Sequence, residues 1–105
     1  MKLIITRGEF QGKEFVLEEG SNLIGRWDPD SSSFPEIDLE KEDVDAKVSR
    51  KHAVLEVRGE QATVEDIGSM NGTFINRGPR LERGVKYDLK SGDELIVGKV
   101  FFRLE

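Results

Sequence analysis

Short apolar runs, broken by glycine and by charge, recur along the whole chain. Leu3-Ile4-Ile5 comes first and gives way to Gly8 and Gly12. Glu14-Phe15-Val16-Leu17 and Asn22-Leu23-Ile24 follow, each stopped by a glycine, and Ile37 and Leu39 then alternate with acids. The clearest run is His52-Ala53-Val54-Leu55-Glu56-Val57-Arg58, where Ala53, Leu55 and Val57 share one face at the two-residue period of a strand. Gly59-Glu60 predicts a hairpin into Ala62–Ile67. After the Asn71-Gly72 turn come Thr73-Phe74-Ile75 and the alternation of Val85, Tyr87 and Leu89. Gly92-Asp93 and Gly98-Lys99 turn into Glu94–Val97 and Val100–Leu104.

No stretch carries the period of a helix. Roughly ten to eleven short, mostly antiparallel strands at even spacing predict an all-β fold, a β-sandwich with its loops gathered at the two ends. Neither a linker nor a repeat divides the pattern, so a single domain over residues 1–105 is expected. The longest irregular segment is Trp27 to Lys47; a loop of that length in a small domain serves function or is an inserted decoration. Its tail, Glu40 to Val48, is too acidic and too poor in apolar positions for a helix. Trp27 and Phe34 are expected to pin this loop to the body of the domain.

Composition removes several classes of function. The chain has no cysteine and one histidine, His52, so thiolate chemistry and a histidine metal cluster are excluded, and no cofactor or metal is expected. The net charge of −5, from 16 basic and 21 acidic residues, disfavours nucleic acid as a partner. The start lacks the apolar core of a signal peptide and no run approaches the length of a membrane span. A cytoplasmic protein with no membrane contact is expected. The acids concentrate in Glu36, Asp38, Glu40, Glu42, Asp43 and Asp45, a run read as a solvated face. Basic residues gather instead in Lys47-Arg50-Lys51 and in Arg77, Arg80 and Arg83, so a local basic pocket fits inside an acidic domain.

Three pieces carry the candidate chemistry: Gly25-Arg26, Ser49-Arg50-Lys51-His52 and Asn71-Gly72-Thr73. Each borders a strand-like run and so falls on a loop. Arginine brings a planar fork of donors, serine a short hydroxyl, and asparagine an amide that donates and accepts at once. Gathered at one end of a sandwich, they make a surface that reads an anion on an extended chain. The second cation is Arg50 or Lys51; the sequence leaves the choice open.

These motifs resemble those of the forkhead-associated (FHA) domain family, and the resemblance spans nearly the whole chain. Asp66-Ile67-Gly68-Ser69, Asn76 and Gly92-Asp93 extend it. The resemblance implies a noncatalytic β-sandwich that binds phosphothreonine-containing proteins or peptides, either a partner's or its own, downstream of a Ser/Thr kinase. It assigns Arg26 and Ser49 to the phosphate, Arg50 to the phosphate or the peptide backbone, and Asn71 to the peptide main chain. Gly25, His52, Gly72 and Asn76 become scaffold. Met70 departs from the family, standing where many relatives carry threonine, so only a main-chain contact is expected there. Arg77 and Arg80, with Arg83, are expected to read acidic residues downstream of the phosphothreonine. The departure at Met70 keeps open an alternative, a phosphorylation-independent interaction module on the same loops. His52, alone and opening a strand, reads as a support for the Ser49 loop rather than a general base.

Overall fold

The structure, a computed structural model, describes all 105 residues. Ten strands follow in order: β1 (Lys2–Ile5), β2 (Glu14–Val16), β3 (Gly20–Gly25), β4 (Ile37–Asp38) and β5 (Lys51–Arg58); then β6 (Gln61–Asp66), β7 (Thr73–Ile75), β8 (Lys86–Leu89), β9 (Glu94–Val97) and β10 (Val100–Leu104). They form two five-stranded sheets, β2-β1-β10-β9-β7 and β4-β3-β5-β6-β8. All pairings are antiparallel except β3 with β4, which run parallel through Ile24↔Ile37 and Gly25↔Asp38. The expected β-sandwich is the observed fold.

Alternation explains the core. In β5 the inward residues Ala53, Leu55 and Val57 are buried, and β6 opposes them with Ala62 and Val64. Leu3, Ile5, Leu95, Val97, Phe102 and Leu104 supply the facing layer from the other sheet. Phe15 meets Phe102 edge-to-face at 6.1 Å. Each fully buried side chain of this kind stabilises the sandwich by roughly 1.5–3 kcal/mol.

One irregularity positions the functional loops. Between Ile24↔Ala53 and Gly25↔Lys51 the register of β3 on β5 shifts, leaving His52 as the extra residue of a bulge. The bulge turns both His52 and Ala53 inward, each with no exposed surface. It also brings the two backbones very close, so that a Cβ on Gly25 would lie 1.9 Å from the Arg50 carbonyl oxygen. Only glycine fits there.

The Trp27–Lys47 segment is more ordered than a plain loop. Asp28 and Ser33 form an isolated antiparallel bridge around a turn of 3-10 helix at Pro29–Ser31, and β4 follows. Trp27 and Phe34 do not pin it: they remain 48% and 58% exposed. The work is done by Ile37 and Leu39, both buried, and by polar contacts from Ser33 and Asp38.

Candidate functional site

Arg26, Ser49, Arg50, Met70 and Asn71 line one open cleft of about 310 Å³, together with Ala46 and Val48. The cleft sits at the end of the sandwich where β3 finishes and β5 and β7 begin. Lys51, first residue of β5 and exposed, is not part of its lining. Of the two candidates for a second cation, the cleft holds Arg50.

Each cleft donor is held from behind while its reactive part stays free. The Arg26 Nε donates to the Val48 carbonyl at 2.6 Å and lies 3.9 Å from an Asp43 carboxylate oxygen. Both Nη groups of its fork remain available. Ser49 Oγ accepts the Met70 N–H at 3.1 Å, which leaves the hydroxyl proton free to donate outward. Asn71 Nδ2 donates to the Lys47 carbonyl at 3.1 Å, leaving its amide oxygen as an acceptor. The Arg50 Nε pairs with Asp28 at 2.6 Å, and the Arg50 carbonyl receives both the Arg26 N–H and the Ser33 hydroxyl.

His52 is the brace between two of these loops. Its Nδ1 accepts the Ser49 N–H at 3.0 Å, so Nε2 carries the ring proton and donates it to the Gly72 carbonyl at 2.9 Å. Burial pushes its pKa below the ordinary value, against the opposing pull of the Gly72 carbonyl and the Asp66 and Asp43 charges. The neutral ring suits the geometry, because a protonated Nδ1 would face the Ser49 donor.

Two aspartates that the sequence did not mark as site residues shape the loops. Asp66 accepts the N–H groups of Gly68 and Ser69 at 2.8 and 2.9 Å, the Ser69 hydroxyl, and the Thr73 hydroxyl at 2.8 Å. Burial pushes its carboxyl up, but the bonds from Ser69, Gly68 and Thr73 outweigh it and hold the pKa at about 2. Asp43 accepts the N–H groups of Lys47 and Val48 at 2.8 and 2.9 Å. The acidic run is therefore not one solvated face. Asp43 is buried on these amides and Glu42 is buried against Lys13, while Glu36, Glu40 and Asp45 remain exposed. Spacing alone gave little warning, since hydrogen-bonded and solvated acids look alike in sequence.

The remaining expected residues lie behind or away from the cleft. Arg80 donates to the Ser69 carbonyl at 2.6 Å and bears on the Met70 carbonyl at 3.4 Å, supporting the turn from below. Arg77 pairs with Glu94 at 2.9 Å and Arg83 lies against Gly68. Asn76 joins β7 to the start of β9 through Asp93 and the Glu94 N–H, and touches none of the cleft residues. The other sheet closes the site from behind: the Gly98 N–H donates to the Gly72 carbonyl at 3.0 Å, and a Cβ there would stand 2.5 Å from the Lys47 carbonyl oxygen.

A two-sheet sandwich with arginine, serine and asparagine converging from these loops is the architecture of a forkhead-associated domain. The chain belongs to that family, whose FHA domain model matches residues 22–98. Among curated proteins, it is 38% identical to the oxoglutarate dehydrogenase inhibitor of Corynebacterium jeikeium, over 97% of this chain and 60% of that protein. It is likewise 38% identical to the glycogen accumulation regulator GarA of Mycolicibacterium smegmatis, over 97% of this chain and 55% of that one. The chain thus spans little more than half the length of these relatives. Solved structures agree. An FHA domain studied for phosphothreonine-dependent interactions superposes with a TM-score of 0.75 at 29% identity, covering 97% of this chain and 91% of that one. An FHA domain of Arabidopsis thaliana gives 0.76 at 26%, covering 98% and 80%. No helix is long and apolar enough to cross a membrane.

Proposed function

We propose that this chain is a noncatalytic module that binds phosphothreonine-containing segments and so places a cytoplasmic regulatory protein under the control of a Ser/Thr kinase. One observation carries the reading: the free Nη groups of Arg26, the free hydroxyl proton of Ser49 and the Arg50 guanidinium border one opening. A phosphothreonine brings about −1.5 to −2 charge and three acceptor oxygens, which this donor set matches. Arg26 and Ser49 take the phosphate, Arg50 supplies the second cation, and the Asn71 amide holds the peptide main chain. Ala46, Val48 and Met70 form the apolar side of the cleft, suited to the threonine γ-methyl. Burying that methyl contributes about 0.8 kcal/mol, a few-fold preference over serine. Nothing in the cleft supplies a nucleophile–base pair, and the names of the relatives describe an inhibitor and a regulator. The ligand is a segment of a partner or of the chain's own protein.

Fluorescence anisotropy against a degenerate peptide library in phosphothreonine, phosphoserine and unmodified forms tests the reading. Binding to the phosphothreonine form is expected, weakened roughly 100-fold by Arg26→Ala, as for loss of a bidentate charged contact of about 3 kcal/mol. Equal binding of all three forms would favour the phosphorylation-independent module, a reading that the 82% exposed Met70 at the cleft edge keeps in view.

A further inference from the structure

We propose that Asn71-Gly72 is a latent deamidation site, and that the Ser69 hydroxyl guards it by holding the Gly72 N–H. Of the three asparagines only Asn71 precedes glycine; Asn22 precedes Leu23 and Asn76 precedes Arg77. Asparagine is a chemically labile residue, and a following glycine leaves its nitrogen open to attack the side chain, because no Cβ stands in the way. In the reaction, hydroxide takes the proton from the Gly72 nitrogen, and that nitrogen attacks Asn71 Cγ. The new C–N bond closes a cyclic imide as the side-chain nitrogen leaves as ammonia. Water then opens the ring and leaves aspartate or isoaspartate at position 71.

The fold does not shed this dipeptide. Gly72 has a φ of +95°, and a Cβ on it would stand 3.0 Å from the Phe74 ring and 3.1 Å from Arg80 Cδ. Asn71 is exposed on the cleft lining. What the fold supplies instead is restraint on both reacting groups. The Gly72 N–H is buried and donates to Ser69 Oγ at 3.0 Å. The Ser69 hydroxyl proton goes to Asp66, so its oxygen meets Gly72 as an acceptor. The Gly72 carbonyl is held by His52 Nε2 at 2.9 Å and by the Gly98 N–H at 3.0 Å. The Asn71 carboxamide is drawn to the Lys47 carbonyl at 3.1 Å. To react, the Gly72 nitrogen must leave Ser69 and give its proton to solvent. The rate in the folded chain therefore depends on that hydrogen bond.

This lability stands apart from the phosphothreonine reading; its consequence for binding rests on that reading. An aspartate at position 71 loses the donor to Lys47 and sets a carboxylate in the cleft with Arg26 and Ser49, against an incoming phosphate. Isoaspartate also lengthens the main chain of the turn that presents Met70. Either product closes the cleft to a phosphopeptide.

The test incubates the intact chain in mildly alkaline buffer, folded and in urea, and follows position 71 by peptide-mapping mass spectrometry and enzymatic isoaspartate methylation. The folded native chain should react more slowly than the unfolded one. Ser69→Ala is expected to speed the folded-state reaction roughly five- to tenfold, the factor that one neutral hydrogen bond supports, with the rate in urea unchanged. Thr73→Val removes the other hydroxyl from Asp66 but leaves the Ser69–Gly72 bond, and should stay near the native rate. That control separates the guard from a general loosening of the turn. Hydrogen exchange at the Gly72 amide of the native chain gives a reading that needs no variant: strong protection is expected. Equal rates folded and unfolded, no gain in Ser69→Ala, the same gain in Thr73→Val, or free exchange at Gly72 each overturns the proposal. Asn71→Asp should bind the best phosphothreonine peptide from the library at least about tenfold more weakly than the native chain, and full binding overturns the stated consequence. Failure of the native chain to bind that peptide overturns the functional reading alone, since the deamidation rates are read without ligand.

Discussion

Asp43 and Asp66 are both buried carboxylates that organise a loop at the cleft, yet they do different work. Asp66 closes a local hub: all four of its donors come from Gly68, Ser69 and Thr73, within the turn that presents Met70 and Asn71. Asp43 accepts only two backbone N–H groups, but its loop carries the Val48 carbonyl on which Arg26 rests. One aspartate fixes shape by neutral donors that need it. The other fixes shape and stands 3.9 Å from Arg26, the cation that takes the phosphate in the function proposed above. On that reading the distinction separates stability from recognition, although both side chains are buried.

The largest effect should come from Asp66→Ala, which leaves two buried hydroxyls, the buried Ser69 N–H and the part-buried Gly68 N–H without their acceptor. A loss of about 3–5 kcal/mol in urea unfolding is expected, a large part of the stability of a domain this size. The acid limb of the stability profile gives the next largest. The Asp66 pKa falls from 3.8 in the unfolded chain to about 2 in the fold. Its contribution is therefore present above pH 4 and lost as pH falls through this interval, by roughly 2 kcal/mol. Asp66→Asn should lack that part of the slope. Asp43→Ala is expected to lose only about 1–2 kcal/mol of stability but to weaken phosphopeptide binding by about fivefold or more in the folded protein. If it unfolds the domain as severely as Asp66→Ala while the folded fraction binds normally, the contrast between the two aspartates is wrong. Met70→Thr should have the smallest effect: unchanged melting, and binding tightened roughly twofold by one added hydroxyl contact.

Most strands were legible because buried and outward positions alternate along them, as in β6 and β10, while β9, buried at Leu95, Ile96 and Val97 in succession, showed itself as a short apolar run between two glycine turns. Arg26, Ser49, Arg50 and Asn71 were legible because their neighbours form recognisable turns, and the fold brings them into one cleft. The polar frame was not. Whether an aspartate in an acidic run is solvated or caps an amide depends on which backbone folds over it, and that backbone is set by contacts distant in sequence. The same limit applies to the arginines after the Asn71 turn: Arg80 lies beneath that turn because β7 and its following loop fold back, which local pattern does not show. Trp27 and Phe34 misled for the opposite reason. Their size suggested anchors, while Ser33 and the bridge at Asp28 had already secured the segment.

The contact of Gly98 with the cleft bears on how this surface can diversify. Lys47 and Gly72, which flank the Asn71 anchor, both meet the turn between β9 and β10. A side chain at 98 would press on the Lys47 carbonyl and shift the amide that hangs from it, although it would touch no ligand. In a saturation library selected for retained binding, position 98 should stay glycine while exposed neighbours such as Lys99 drift freely. The cleft can thus change its specificity through Met70 or Ala46 far more cheaply than through the sheet behind it.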